Sequence, residues 1–107
     1  MVRKERLRPG MTKIDLVVTS ARYDGETGRV SQARAYERWG QVWSDILLLD
    51  RSDLVERINA GKKVVTGGPV GLPGEFDVDR SVRLADGKWL VADGGSPGRD
   101  DLGVPTY

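Results

Sequence analysis

The sequence predicts a mainly β fold, a small, partly open β-barrel or roll of about five to six strands with one short helix at residues 52–60. Three observations carry that expectation. Residues 13–23 are rich in β-branched side chains, with Ile14, Leu16 and Val18 on one parity and Val17 and Thr19 on the other, the pattern of a largely buried strand. Asp86-Gly87 stands between two apolar runs, residues 81–85 and 88–92, and is the strongest short hairpin signal a sequence can give. One short segment carries both start and stop signals of a helix: Asp50 or Ser52 as N-cap, an apolar stripe of Leu54, Val55 and Ile58, Asp53 and Arg57 ordered as an i,i+4 pair, and Gly61 as the stop.

Taken in order, residues 1–10 are charged and end in Pro9-Gly10, which reads as a flexible basic arm. Residues 11–92 read as a single globular domain. Its first strand ends at Asp24-Gly25-Glu26-Thr27-Gly28, where Asp closes a turn and the glycines take positive φ, so a second strand starts near Arg29. Between Arg29 and Arg38, Val30, Gln32, Arg34, Tyr36 and Arg38 alternate with Ser31, Ala33, Ala35 and Glu37. The alternative is an α+β fold with an amphipathic helix at 32–48. Tyr36, Trp39, Trp43 and Ile46 also recur at helical spacing, with Ser31 as cap and Gly40 as the weak point. The strand reading is preferred because a strong turn precedes it, with Gly40 then marking a bend or bulge. Residues 46–49 read as a short buried strand, and 64–66 as another. Gly67 to Gly74 reads as a loop, and Phe76 and Val78 as part of an edge strand. Beyond Asp93 the composition turns to Gly, Pro, Ser and Asp, so residues 93–107 read as a disordered tail.

The 107 residues contain no histidine and no cysteine. Ser-His-Asp triads, Cys-His dyads, zinc sites of thiolate and imidazole, iron–sulfur ligation by cysteine and disulfides are thereby excluded. Carboxylate acid/base chemistry and oxygen-only cation sites remain open. No apolar run approaches the roughly 20 residues of a membrane span, and no apolar leader opens the chain, so the expected setting is cytoplasmic, away from membranes. The net charge of +1 is unevenly spread: the first thirteen residues carry +4, and residues 93–107 carry −2.

Four constellations bear on function. Arg22, Arg34, Tyr36 and Arg38 share a parity that would make a basic sheet face with one aromatic, extended by Arg3, Lys4, Arg6 and Arg8 of the arm, as single-stranded nucleic-acid binders use. The plainer reading is a solvated face with a cross-strand tyrosine. Asp45, Asp50, Asp53 and Glu56 lack the spacing of a calcium loop and are explained by helix capping, so no metal is expected. Gly67 to Gly74 lacks the Lys-Ser/Thr ending of a phosphate-binding loop, and no cofactor is expected. At least two of Trp39, Trp43 and Trp89 are expected in the core. No catalytic constellation emerges. The expected function is a non-enzymatic interaction module for a protein partner, taken at an open strand edge or through an exposed tryptophan, with nucleic-acid binding through the Arg/Tyr face and arm as the alternative.

Overall fold

The computed structural model describes residues 5–7, 14–71, 75–95 and 98–107. Within them run β1 (Glu5–Leu7), β2 (Leu16–Tyr23), β3 (Val30–Trp39), β4 (Val42–Trp43), β5 (Leu47–Asp50), α1 (Arg51–Asn59), β6 (Val64–Pro69), β7 (Phe76–Ala85) and β8 (Trp89–Ala92). The fold is the expected mainly β class. Six strands in the order β1-β7-β6-β2-β3-β4 curl into a half-barrel, β5 joins β3 beside β4, and β8 joins β7 beside β1. β2 and β6 run parallel, while β2 and β3 are antiparallel.

The helical alternative at 32–48 is not the structure. β3 is one continuous strand, and Gly40, at φ +67°, forms with Gln41 a two-residue turn into β4 that pairs Trp39 with Val42. Sheet pairing wins because Ala33 and Ala35, both fully buried, pack under β2 at pairs Ala21–Ala33 and Val18–Ala35. Gly40 therefore marks a hairpin turn instead of the expected bend or bulge. The Asp86-Gly87 hairpin forms, with both residues at positive φ, 54° and 66°, and Lys88 N–H donating to the Ala85 carbonyl at 3.0 Å. Ala85 pairs with Trp89, so the turn takes three residues, 86–88, and the second strand starts one residue later than expected.

β6 reaches further than expected, because Gly67, Gly68 and Pro69 pair with Val78, Asp77 and Phe76. A Cβ at Gly67 would stand 2.0 Å from the Asp77 carbonyl oxygen, so glycine here permits close strand approach at a bulge. Phe76 and Val78 accordingly sit in a ten-residue strand with neighbours on both sides, β6 and β1, and not at an edge. Part of the segment read as a flexible arm is itself that neighbour, since Glu5–Leu7 pairs with 76–78.

α1 is capped by Asp50, whose carboxylate accepts from Asp53 N–H at 2.9 Å while Asp53 accepts from Asp50 N–H at 3.1 Å, a reciprocal capping box. Arg57 does not complete the expected side-chain pair with Asp53. Its guanidinium bonds the Asp53 carbonyl and reaches across to Glu37 of β3 at 2.6 Å, fastening helix to sheet.

Two apolar clusters occupy the two faces of the curled sheet. The larger gathers Leu16, Val18, Ala33, Leu54, Leu90 and Leu102 beneath α1. The smaller holds Ile14, Val17, Val65 and Phe76, with Tyr36 and Trp43 packed on Phe76 at ring separations of 5.3 and 4.7 Å.

Residues 98–107 correct the expectation of a disordered tail. Asp101 bridges to Val91 in parallel fashion, exchanging bonds with Leu90 and Ala92, and Thr106 bridges to Ala21, whose N–H donates to Pro105. The segment thus straps the outer edge of β8 to the part of β2 that β6 leaves unpaired beyond Val18. Composition hid this, because one buried leucine, Leu102, and one buried carboxylate, Asp100, supply the anchoring that the surrounding Gly, Pro and Ser do not.

Candidate interaction surface

The sheet register carries Arg22, Arg34, Tyr36 and Arg38 to one face but divides them into three environments. Arg22 and Arg34 meet over the ring of Tyr107, at 4.8 and 4.1 Å from its centroid. Arg22 Nε also donates to the Tyr107 carbonyl at 3.0 Å, and the tyrosine hydroxyl donates to Gln32 Oε1 at 3.0 Å. Both guanidiniums therefore stack on an aromatic supplied by the strap. Tyr36 turns into the smaller core against Phe76. Arg38 lies at the far end of β3, paired with Asp15 at 3.3 Å and donating to the Ile14 carbonyl at 2.9 Å. Arg3, Lys4 and Arg8 lie outside the described residues, and of Arg6 only the backbone, in β1, is described.

Asp100 is the most constrained ionisable group. Its side chain is fully buried and accepts from Val30 N–H and Leu90 N–H, each at 2.8 Å, and from Arg51 Nε at 2.7 Å and Nη2 at 3.1 Å. Arg51 also donates to the Lys88 carbonyl. Burial alone would raise the carboxyl's pKa, but the Arg51 bonds and the two backbone N–H donors outweigh it and hold the value below normal. Its partners belong to β3, β8 and α1, so Asp100 staples the strap to three elements. Glu37 is likewise held low, first by its hydrogen bond from Arg57.

Two clefts flank the strap. One of about 320 Å³ is lined by Tyr23, Arg99, Asp101 and Val104, and one of about 400 Å³ by Thr19, Thr66, Gly68, Asp79 and Pro105. The hydroxyls in the second are turned to the backbone: Thr19 donates to the Arg34 carbonyl, and Thr66 bonds Arg80.

The exposed large apolar side chains among the described residues fall within one ten-residue stretch: Trp39 (55% exposed), Val42 (62%), Ile46 (49%) and Leu48 (60%). Trp39 and Val42 face each other across the β3–β4 turn, on the parity of Glu37, to which the indole N–H donates at 3.0 Å. Leu48 stands opposite Arg34 on the other face. Leu47 and Leu49, between and beside the exposed pair, turn to the larger core. The four side chains thus straddle the edge formed by β4 and β5, beside which no further strand pairs among the described residues. None of the three tryptophans is fully buried, which corrects the expectation of two in the core: Trp43 is half-buried against the smaller cluster, Trp89 is half-buried between Arg29 and Lys88, and Trp39 is exposed.

No family model, curated protein or solved structure matches this chain. The exposed strip was not legible beforehand, because Ile46-Leu47-Leu48-Leu49 is a continuous apolar run, and such a run reads as buried on both faces. Only the sheet order shows that it lies at an edge.

Proposed function

We propose that this protein is a non-enzymatic interaction module that takes a protein partner on the apolar strip of Trp39, Val42, Ile46 and Leu48. The observation that carries this is the concentration of exposed apolar side chains at one sheet edge, where an interface is the physical reason to leave them in water. The absence of histidine and cysteine from the sequence supports the non-enzymatic part, and the lack of cysteine agrees with a cytoplasmic setting, which belongs to the same proposal. No helix among the described residues is long and apolar enough to cross a membrane.

A protein partner is preferred to nucleic acid on the geometry of the arginines. Arg22 and Arg34 are stacked on Tyr107, and Arg38 is paired with Asp15, so a phosphate backbone would have to displace each of these contacts first.

A photo-crosslinking residue at position 48, with one at Glu26 in the β2–β3 loop as control, tests the reading in the native cell. A discrete adduct at 48 but not 26, whose purified partner then fails to bind a folded Val42→Thr, Leu48→Ser variant, is the expected result. Equal, diffuse labelling at both positions would contradict it.

A further inference from the structure

We infer that the partner arrives as an extended strand, apolar at its centre and basic at its flanks, which adds to the open edge of β5. This rests on the reading of the strip as a binding surface and specifies what binds there.

The first ground is the unequal treatment of the sheet edges. The outer edge of β8 is covered by residues 100–102 of the strap, and the unpaired end of β2 by residues 105–106. β1 and β4 have only three and two residues. β5, by contrast, has β3 on one side, and no strand among the described residues pairs with its other side. Folded proteins blunt such edges with charge, proline or a bulge. Residues 46–49 carry no charge and no proline, and the one bulge of this edge, a one-residue register shift between Trp43 and Leu47, ends before the regular pairs of Leu47–Leu49.

The second ground is the disposition of the apolar groups. A strand laid beside β5 and β4 projects alternate side chains to the two faces of the sheet. It would meet Ile46 and Leu48 on one face, and Val42 and Trp39 on the other. A docking helix would engage one face only.

The third ground is charge. Asp45 and Asp50, both exposed, bracket residues 46–49, and the Asp50 carboxyl is held in its charged form by bonds from Ser52 and Asp53. The same flanks oppose self-association. In the antiparallel register that pairs residues 46–49 with a second copy of themselves, Asp45 of each copy faces Asp50 of the other, and like charges directly opposite across a sheet are destabilising. Lysine or arginine at both ends of a partner strand converts those repulsions into attractions.

The probes are two capped eight-residue peptides with a Val-Thr-Val-Thr centre, one carrying two lysines at each end and its twin carrying glutamates. They are titrated into the full-length labelled protein at low and moderate salt, with amide shifts and hydrogen exchange read at 39–50. Expected are binding of the basic peptide at least about tenfold tighter than its twin at low salt, new exchange protection of outward amides in β5, and loss of the preference in Asp45→Lys. Leu48→Lys, which places a charge on the exposed face without touching the core, should abolish protection. Equal shifts from both peptides without added protection would overturn strand addition while leaving the strip as a binding surface. Shifts confined to residues outside 39–50 would overturn the inference and, with an absent adduct at position 48, the proposed function as well.

Discussion

At the scale of single residues, the chain stabilises an open half-barrel with a few fully satisfied polar groups. Asp100 collects four hydrogen bonds from three elements in a site closed to water, and no isosteric apolar residue reproduces them. Asp100→Ala should cost about 3–5 kcal/mol in urea unfolding, because it strands the Arg51 charge and two buried N–H groups. The pH dependence has a definite sign. The folded carboxyl titrates below its unfolded value of about 4, so the stability it contributes is complete above that value and is lost as pH falls through the lower folded one. Glu37, lowered by Arg57, acts in the same sense. Asp100→Asn should therefore flatten the acid limb of the stability–pH profile. An unchanged limb would show that Asp100 is not the titrating group.

At the scale of elements, the local signals that specify a single residue type were legible and those that depend on neighbours were not. The capping box at Asp50, the turn after Tyr23 and the Asp86-Gly87 hairpin each need particular side chains at fixed positions, and the sequence displays them. β6 was read too short because Gly67, Gly68 and Pro69 resemble a loop until Asp77 is placed against them. Gly67→Ala should destabilise by about 1–3 kcal/mol, since β6 and β7 must part to admit the methyl group, whereas Gly25→Ala, with open space around it, should change little. The strap was missed for a similar reason: its order rests on Asp100 and Leu102 among residues that otherwise favour disorder. Leu102→Ala should cost about 2–5 kcal/mol and speed amide exchange at Ala21 and Ala92, the two points where the strap pairs with the sheet. Loss of stability without faster exchange at those amides would mean that Leu102 serves the core alone.

At the scale of the whole molecule, parity placed Arg22, Arg34, Tyr36 and Arg38 on one face, which is where the register puts them. Parity is silent on what covers a face. Phe76 and Trp43 cover Tyr36, Tyr107 covers the two arginines, and each comes from a segment distant in sequence. Among the described residues the β4–β5 edge has no further strand beside it, and its four exposed apolar side chains make little contribution to the core. Replacing Val42 by Thr and Leu48 by Ser should leave the unfolding free energy from urea titration within about 0.5 kcal/mol of the parent, a result expected of binding residues and not of buried ones. The most direct measurement is amide-resolved hydrogen exchange on the free protein across a concentration series. Fast exchange of those amides in residues 46–49 that do not donate to β3, independent of concentration and beside slow exchange at Ala21 and Ala92, is the expected result. Strong protection of those same amides in the free protein would mean that the edge is already covered, and would contradict the assignment of β5 as the binding edge.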